Sequence, residues 1–244
     1  MIRHLAVALV GLMSIAGSTA ALAQARNRLS TTEGLRTLNT AVESVTFKGK
    51  PGVRVTVSPD LGRRPEYLNF TLQPEQLVRI EGLEFSNGTI EAEIAGAPAE
   101  AAFTGARGFV GIAFRLREDR AKDSLQTYDA FYLRPTNGRV DDQERRNHTA
   151  QYISHPSWTW NRLRTETPSK YEAYVDITPD TWTPIRIEVD GTKARLYVNG
   201  QSQPTLIVND VKSGPTATGA IALWIGPGTV GHFRNLVVTP KPRD

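Results

Sequence analysis

From residue 83 onward the chain alternates apolar and polar side chains with a period of two. Ile185, Ile187 and Val189 alternate with Arg186 and Glu188, and Ala194, Leu196 and Val198 with Arg195 and Tyr197. Such alternation marks strands with one buried face. Asp190-Gly191 between the two runs tolerates φ > 0 and predicts a type I′ hairpin turn; at Asn199-Gly200 the chain is expected to turn again. Ile90, Ala92 and Ile94 oppose Glu91 and Glu93 after a turn at Asn87-Gly88. Val110, Ile112, Phe114 and Leu116 oppose Gly111, Ala113, Arg115 and Arg117. Gly219–Ile225 and His232–Val238 close the pattern. Strands are also predicted at Ser44–Phe47, Gly52–Val57, Tyr67–Leu72, Leu77–Ile80, Thr127–Arg134 and Tyr171–Ile177. Around a dozen short strands with turns every roughly 8–12 residues, and no long amphipathic helix, predict an all-β sandwich over residues 44–240. Residues 24–43 are polar and read as an N-terminal arm or edge segment.

Residues 135–170 break the alternation. They mix Arg139, Asp141, Asp142, Arg145, Arg146, Asn147, His148, Tyr152, His155, Trp158, Trp160, Arg162 and Arg164. A long loop of this kind is functional or disordered, and this one is too aromatic for disorder. Tyr152, Trp158 and Trp160 could stack on sugar rings. Arg145, Arg146, Asn147 and His148 could bind hydroxyls or carboxylates.

The first residues carry an address. Arg3 precedes an uncharged apolar run, Leu5–Ala16, too short to span a bilayer comfortably. Ala21-Leu22-Ala23 is an A-x-A cleavage signal, so residues 1–23 read as a signal peptide. The expected location is periplasmic or secreted in a bacterium, with no membrane insertion after cleavage. The chain has no cysteine, so its stability rests on the core. The net charge of +4 falls to +3 with the loss of Arg3. In an exported protein this does not argue for nucleic acid, which is not expected as a partner, and fits an anionic glycan, a cell-wall surface, or no specific partner.

Several stretches, in order, carry a family resemblance: Phe85-Ser-Asn-Gly-Thr-Ile-Glu-Ala-Glu, Gly111-Ile-Ala-Phe-Arg-Leu-Arg and Tyr128-Asp-Ala-Phe-Tyr-Leu-Arg, then Tyr197-Val-Asn-Gly200, Gly219-Ala-Ile-Ala-Leu-Trp and Phe233-Arg-Asn-Leu. Over about residues 80–240 the chain resembles the concanavalin A-like lectin/glucanase jelly rolls. Within them it is most similar to the laminin-G-like and 3-keto-disaccharide-hydrolase-type bacterial exported domains. The resemblance implies two stacked antiparallel sheets, one with a concave face that holds sugars. It places the family's acidic strand position on Glu93, its arginine on Arg115 and a second acidic position on Asp129. Trp224 stands where the family usually has Gln, and Phe131 replaces another polar position. Both departures make the face more aromatic and weaken a transfer of enzymatic activity.

The leading reading is therefore a lectin-like domain that binds a glycan through Arg115, Asp129, Phe131, Arg134, His148, Tyr152, Trp158, Trp160 and Trp224. The alternative is a glycoside hydrolase of the 3-keto-disaccharide type, with Glu93 or Asp129 as acid/base and Arg115 orienting its partner. A third is a structural or adhesive domain without a small ligand. Glu91 and Glu93 share a strand face roughly 7 Å apart, a separation that glycoside hydrolysis permits. The Glu-x-Asp-x-x-Glu strand of the fold's glucanases is absent. No Gly-x-Ser-x-Gly supports a nucleophilic triad. No organic cofactor is implied. Asp141, Asp142 and Glu144 are closely spaced oxygen ligands, and the resembled fold class carries structural calcium, so the metal question stays open. Strand parity predicts that Trp224, Phe131, Arg115 and Asp129 line one concavity, with Tyr152, Trp158 or Trp160 at its rim.

Overall fold

The structure, a computed structural model, describes residues 24–68, 74–100, 102–119 and 125–241. Residues 1–23, read above as a signal peptide, lie outside the described residues. In chain order the strands are β1 (Ala25–Asn27), β2 (Leu35–Leu38), β3 (Thr40–Phe47), β4 (Lys50–Val57), β5 (Leu77–Phe85), β6 (Gly88–Pro98), β7 (Val110–Asp119) and β8 (Leu125–Leu133). They continue with β9 (Ala150–His155), β10 (Glu172–Ala173), β11 (Thr183–Asp190), β12 (Lys193–Val198), β13 (Leu206–Val208), β14 (Gly219–Ile225) and β15 (Thr229–Pro240). Two antiparallel sheets result. One is eight-stranded, in the order β13-β12-β11-β6-β15-β4-β3 with β1 also on β15; the other is seven-stranded, in the order β10-β9-β8-β7-β14-β5-β2. The expected all-β two-sheet sandwich is the observed fold.

The core is built by the alternating apolar residues. Ile90 and Ile94 of β6, Ile187 of β11 and Phe233 of β15 are wholly buried from one sheet. Ile112 and Phe114 of β7, Phe131 of β8 and Ile221 and Leu223 of β14 meet them from the other. Phe114 contacts both Phe85 and Phe131 at 6.2 Å between ring centroids. The outer face of the eight-stranded sheet is polar. On it Arg54 pairs with Glu43, and Tyr197 donates to Glu188.

Three local expectations are corrected. Asp190 pairs with Lys193, so the hairpin turn is Gly191-Thr192. Gly191 has φ +60°, at the first central position where a type II′ turn takes glycine. Asn199 and Gly200, at φ 57° and 68°, form the I′-like pair instead. Tyr67 lies in a helical turn, α2 (Pro65–Leu68), which follows α1 (Pro59–Gly62); Asn69–Leu72 of the expected strand lie outside the described residues. Of Tyr171–Ile177 only Glu172 and Ala173 pair as strand, on β9. Residues 24–43 are not loose. β1 hydrogen-bonds β15 and β2 hydrogen-bonds β5, so this segment contributes to both sheets.

A bulge in β7 has the largest consequence. Phe114 pairs with Asp129 and Arg117 with Thr127, so three steps on β7 match two on β8. The same shift recurs against β14. Arg115 sits in the extra position at φ +56°. The bulge reverses the parity that alternation assigns to it, and Arg115 turns inward to 1% exposure.

Candidate functional site

The stretch between β8 and β11 is not a structureless loop. It forms α3 (Gln143–Asn147), β9, α4 (Trp160–Glu166) and β10. Asp142 caps α3, its Oδ1 accepting from Arg145 N at 3.1 Å. Thr159 caps α4, and buried Leu163 anchors it. Together with residues 103–109 and the β14–β15 turn, these elements wall a cavity of about 520 Å³ on the outer face of the seven-stranded sheet.

The floor is aromatic because sheet partners share a face. Trp224 pairs with Gly111, Gly111 with Tyr132 and Tyr132 with Gln151. Trp224 and Tyr132 meet above Gly111, stacked at 4.6 Å and 26°. Trp224 Nε1 donates to Tyr128 Oη at 3.1 Å, and Tyr128 stacks on His155 at 5.2 Å. The glycine is required. A Cβ at position 111 would lie 2.2 Å from the Phe131 carbonyl oxygen and 2.6 Å from Tyr132 Cβ.

One wall is basic. Arg134 donates to Tyr132 Oη and to the His148 carbonyl, both at 2.7 Å, and to Gln151 Oε1 at 3.1 Å. Beneath it Glu172, 3% exposed at its side chain, is gripped by both Nε and Nη2 of Arg164 and lies 3.6 Å from Arg134. His148 Nδ1 is 3.0 Å from the same carboxylate. Burial is the main influence on His148 and lowers its pKa; Arg164 and Arg134 push the same way and Glu172 opposes. The imidazole is therefore biased toward its neutral form. Burial also raises the Tyr132 phenol and lowers Arg134. At another edge, His155 Nδ1 lies 2.8 Å from Glu75.

The residues expected at the site separate into three groups. Trp224, Arg134, His148, Trp158 and Trp160 line the cavity. Trp160 is 44% exposed at the rim. Trp158 carries Arg162 at 3.9 Å and Lys212 at 4.5 Å from its ring centre, so cations already occupy its surface.

Arg115, Asp129, Phe131 and Tyr152 do not line the cavity; they are buried. Phe131 pairs with Ile112, on the core side of the sheet, so the assumed parity of β8 is reversed. Its ring lies 5.4 Å from Tyr152. Tyr152 Oη donates to Asp129 Oδ1 at 2.6 Å and accepts from Lys212 N at 2.8 Å. Burial raises the Asp129 carboxyl above its ordinary range; donors from Ser213, Tyr152 and Ser154, and the Arg115 charge, offset this only in part. Arg115 donates to the carbonyls of Ser86, Gly191 and Gly214, to Asn87 Oδ1 and to Ser213 Oγ. It ties together three connections between strands.

Glu93 is on the outer face of the other sheet, bound to Lys50, Asn235 and Arg234. It cannot share a bond-breaking task with Asp129. Among the described residues no group of three His, Cys, Asp or Glu is placed to hold a metal ion.

Sequence reasoning missed Tyr128, Tyr132, Arg107, Glu75 and Glu172. Tyr128 and Tyr132 alternate with Asp129 and Phe131, so β8 has large side chains on both faces and period alone cannot choose between them. Arg107, Glu75 and Glu172 are distant in sequence and carry no spacing signal.

The 3-keto-alpha-glucoside-1,2-lyase-like domain matches residues 71–239. No functionally curated protein matches the chain. Among solved structures, a Bacillus subtilis protein of unknown function with a galectin-like fold is similar at 14% identity. It has a TM-score of 0.56 and covers 91% of this chain and 99% of its own. The exoplasmic/lumenal domain of VIP36, solved in a Ca2+/Man3GlcNAc-bound form, is similar at 10% identity. Its TM-score is 0.52, with 89% of this chain and 88% of that one covered. At these identities the likeness is one of fold. Among the described residues no helix is long and apolar enough to cross a membrane.

Proposed function

Because the chain belongs to the 3-keto-alpha-glucoside-1,2-lyase-like domain family, we propose that it is an exported protein that binds a saccharide in the cavity on the outer face of its seven-stranded sheet. The observation that carries the reading is the floor: Trp224, Tyr132 and Tyr128 at the bottom of an open cavity of about 520 Å³. Pockets of this size suit a small ligand, with an apolar body and a few placed polar groups. Sugar rings present apolar C–H faces and hydroxyl edges. Aromatic rings meet the first; Arg134, Asn137 and His148 are donors and acceptors for the second. The leader read in residues 1–23 supports export.

Titration calorimetry of the mature protein against neutral and charged oligosaccharides tests this. Binding of at least one saccharide, lost in Trp224→Ala, is the expected result. Silence across plant, bacterial and host glycans would overturn it.

A second reading, lyase chemistry at the same cavity, is favoured by His155 against Glu75 and His148 against Glu172. Elimination across C1–C2 of a 3-keto glycoside breaks the C2–H bond, acidified by the adjacent ketone. It forms C1=C2 and expels the C1 oxygen, which takes up a proton. An imidazole beside a carboxylate is a suitable base for that step, and burial biases His148 toward the neutral form a base needs. Loss of turnover in both His155→Gln and His148→Gln, with saccharide binding retained, would favour this reading. Turnover unchanged in both variants would remove the two histidines as its base, and absence of any turnover of 3-keto glycosides by the wild-type protein would exclude the reading.

A further inference from the structure

The charge of the cavity goes beyond what a neutral sugar needs. Four guanidinium groups, Arg107, Arg134, Arg145 and Arg164, line it. Against them stand two carboxylates. Glu172 is shared by Arg134, Arg164 and His148, and Glu75 lies against His155. Counting the guanidinium and carboxylate groups alone, four positive and two negative charges leave an excess of two positive charges.

The excess is localised. Arg107 uses Nη1 on the backbone carbonyls of Thr104 and Ala106, at 2.7 and 3.0 Å. Arg145 Nε is buried with no partner. Among the described residues neither side chain has a carboxylate within ion-pair distance, whereas Arg36, Arg54, Arg63, Arg139 and Arg162 each do. The groups also repel one another: Arg107 is less basic than an ordinary arginine because of burial first, then Arg145 and Arg134. Crowded like charges beside an apolar floor are unfavourable unless something of opposite sign joins them.

We infer that the cavity takes an acidic saccharide, one whose carboxylate or sulfate seats between Arg107 and Arg145 while its ring rests against Trp224 and Tyr132. The inference rests on the saccharide reading above and adds the charge of the ligand. Guanidinium groups suit both anions, because each offers two oxygens to a planar pair of N–H donors. The uncharged floor suits the ring that carries them.

The test is calorimetry with four probes: a uronic-acid oligosaccharide, the same oligosaccharide with its carboxylates methyl-esterified, a sulfated disaccharide free of uronic acid, and that disaccharide desulfated. Hydrogen bonds to charged groups make an expected preference of about tenfold or more for an acid over its neutral counterpart. The preference should shrink as salt is raised. Which pair shows it identifies carboxylate or sulfate. In Arg145→Gln, and independently in Arg107→Gln, the acid-to-neutral ratio should fall toward one, with the fold of each variant checked by circular dichroism. The wild-type comparison stands even where a variant fails to fold. Equal binding of acid and neutral forms overturns this inference and leaves the saccharide reading intact. Silence with all four probes, and with the wider saccharide panel, removes the saccharide reading and this inference with it. Sodium acetate or sulfate binding as tightly as the oligosaccharides also overturns it, since the ring would then contribute nothing.

Discussion

Trp224 and Tyr132 stack at 4.6 Å from strands that are not neighbours in their sheet. β7 runs between them, and only the absent side chain of Gly111 lets the rings close over it. The pair converts a strip of backbone into a flat apolar floor. Trp224→Ala should therefore abolish more than about tenfold of saccharide affinity, as loss of a central aromatic anchor does. Calorimetry reads the loss directly. An affinity unchanged in Trp224→Ala would move the ligand away from this floor.

Gly111→Ala should destabilise the protein by about 1–3 kcal/mol, the range of overpacked cores. Its new methyl group meets backbone at Phe131, not the end of a flexible side chain. Chemical denaturation checks the stability. The same variant should weaken saccharide binding by pushing Tyr132 off Trp224. A folded variant with wild-type affinity would show that the stack is dispensable.

Arg115 donates five hydrogen bonds, to Ser86 and Asn87 before β6, to Gly191 after β11, and to Ser213 and Gly214 before β14. Arg115→Met should cost about 3–5 kcal/mol, as breaking buried charge partnerships does. The loss should appear in the melting temperature and not as a change in ligand preference. A stable Arg115→Met with lost binding would return Arg115 to the site.

Glu93→Gln and Asp129→Asn should leave saccharide binding, and any turnover, unaltered. The first side chain is on the outer face of the eight-stranded sheet and the second is buried beside Tyr152. Asp129→Asn should instead alter the pH dependence of stability. Its folded carboxyl titrates above the ordinary 3.8, so the folded state holds this proton more tightly than the unfolded chain. The stability it contributes is present below pH 3.8 and is lost as pH rises through the raised value. Denaturation midpoints across acid pH should show this slope in the wild type and less of it in the variant.

His232 gives the opposite slope. It stacks on Phe47 at 3.8 Å with Trp182 at its edge, and burial first, with Arg54 assisting, lowers its pKa from 6.5 to about 4. A depressed histidine is neutral when folded, while the unfolded chain takes the proton near its ordinary value. Stability should therefore fall as pH drops from 6.5 toward about 4. His232→Phe should flatten this window in thermal melts. An identical slope in the variant would assign the acid sensitivity to other groups.

How far sequence carries depends on what distinguishes the faces of a strand. In β6, β11 and β12 one face is apolar and the other charged, so Ile90, Ile94, Ile187 and Leu196 could be placed in the core from period alone. Trp224 could be placed outward for the same reason, because Leu223 and Ile225 leave it no other side. In β8 the contrast vanishes: Tyr128 and Tyr132 oppose Asp129 and Phe131, and only pairing with Gly111 and Ile112 selects the outward set. Arg115 was misplaced because one inserted residue reverses parity, and a bulge leaves no mark on an alternating pattern. The basic wall was legible only in part: Arg134, Arg145 and His148 could be read as ligand-binding groups, but which charges gather around them could not. Arg107, Arg145, Arg164 and Glu172 come from four separate segments, and electrostatic partnership is a matter of distance in space, which chain order does not encode.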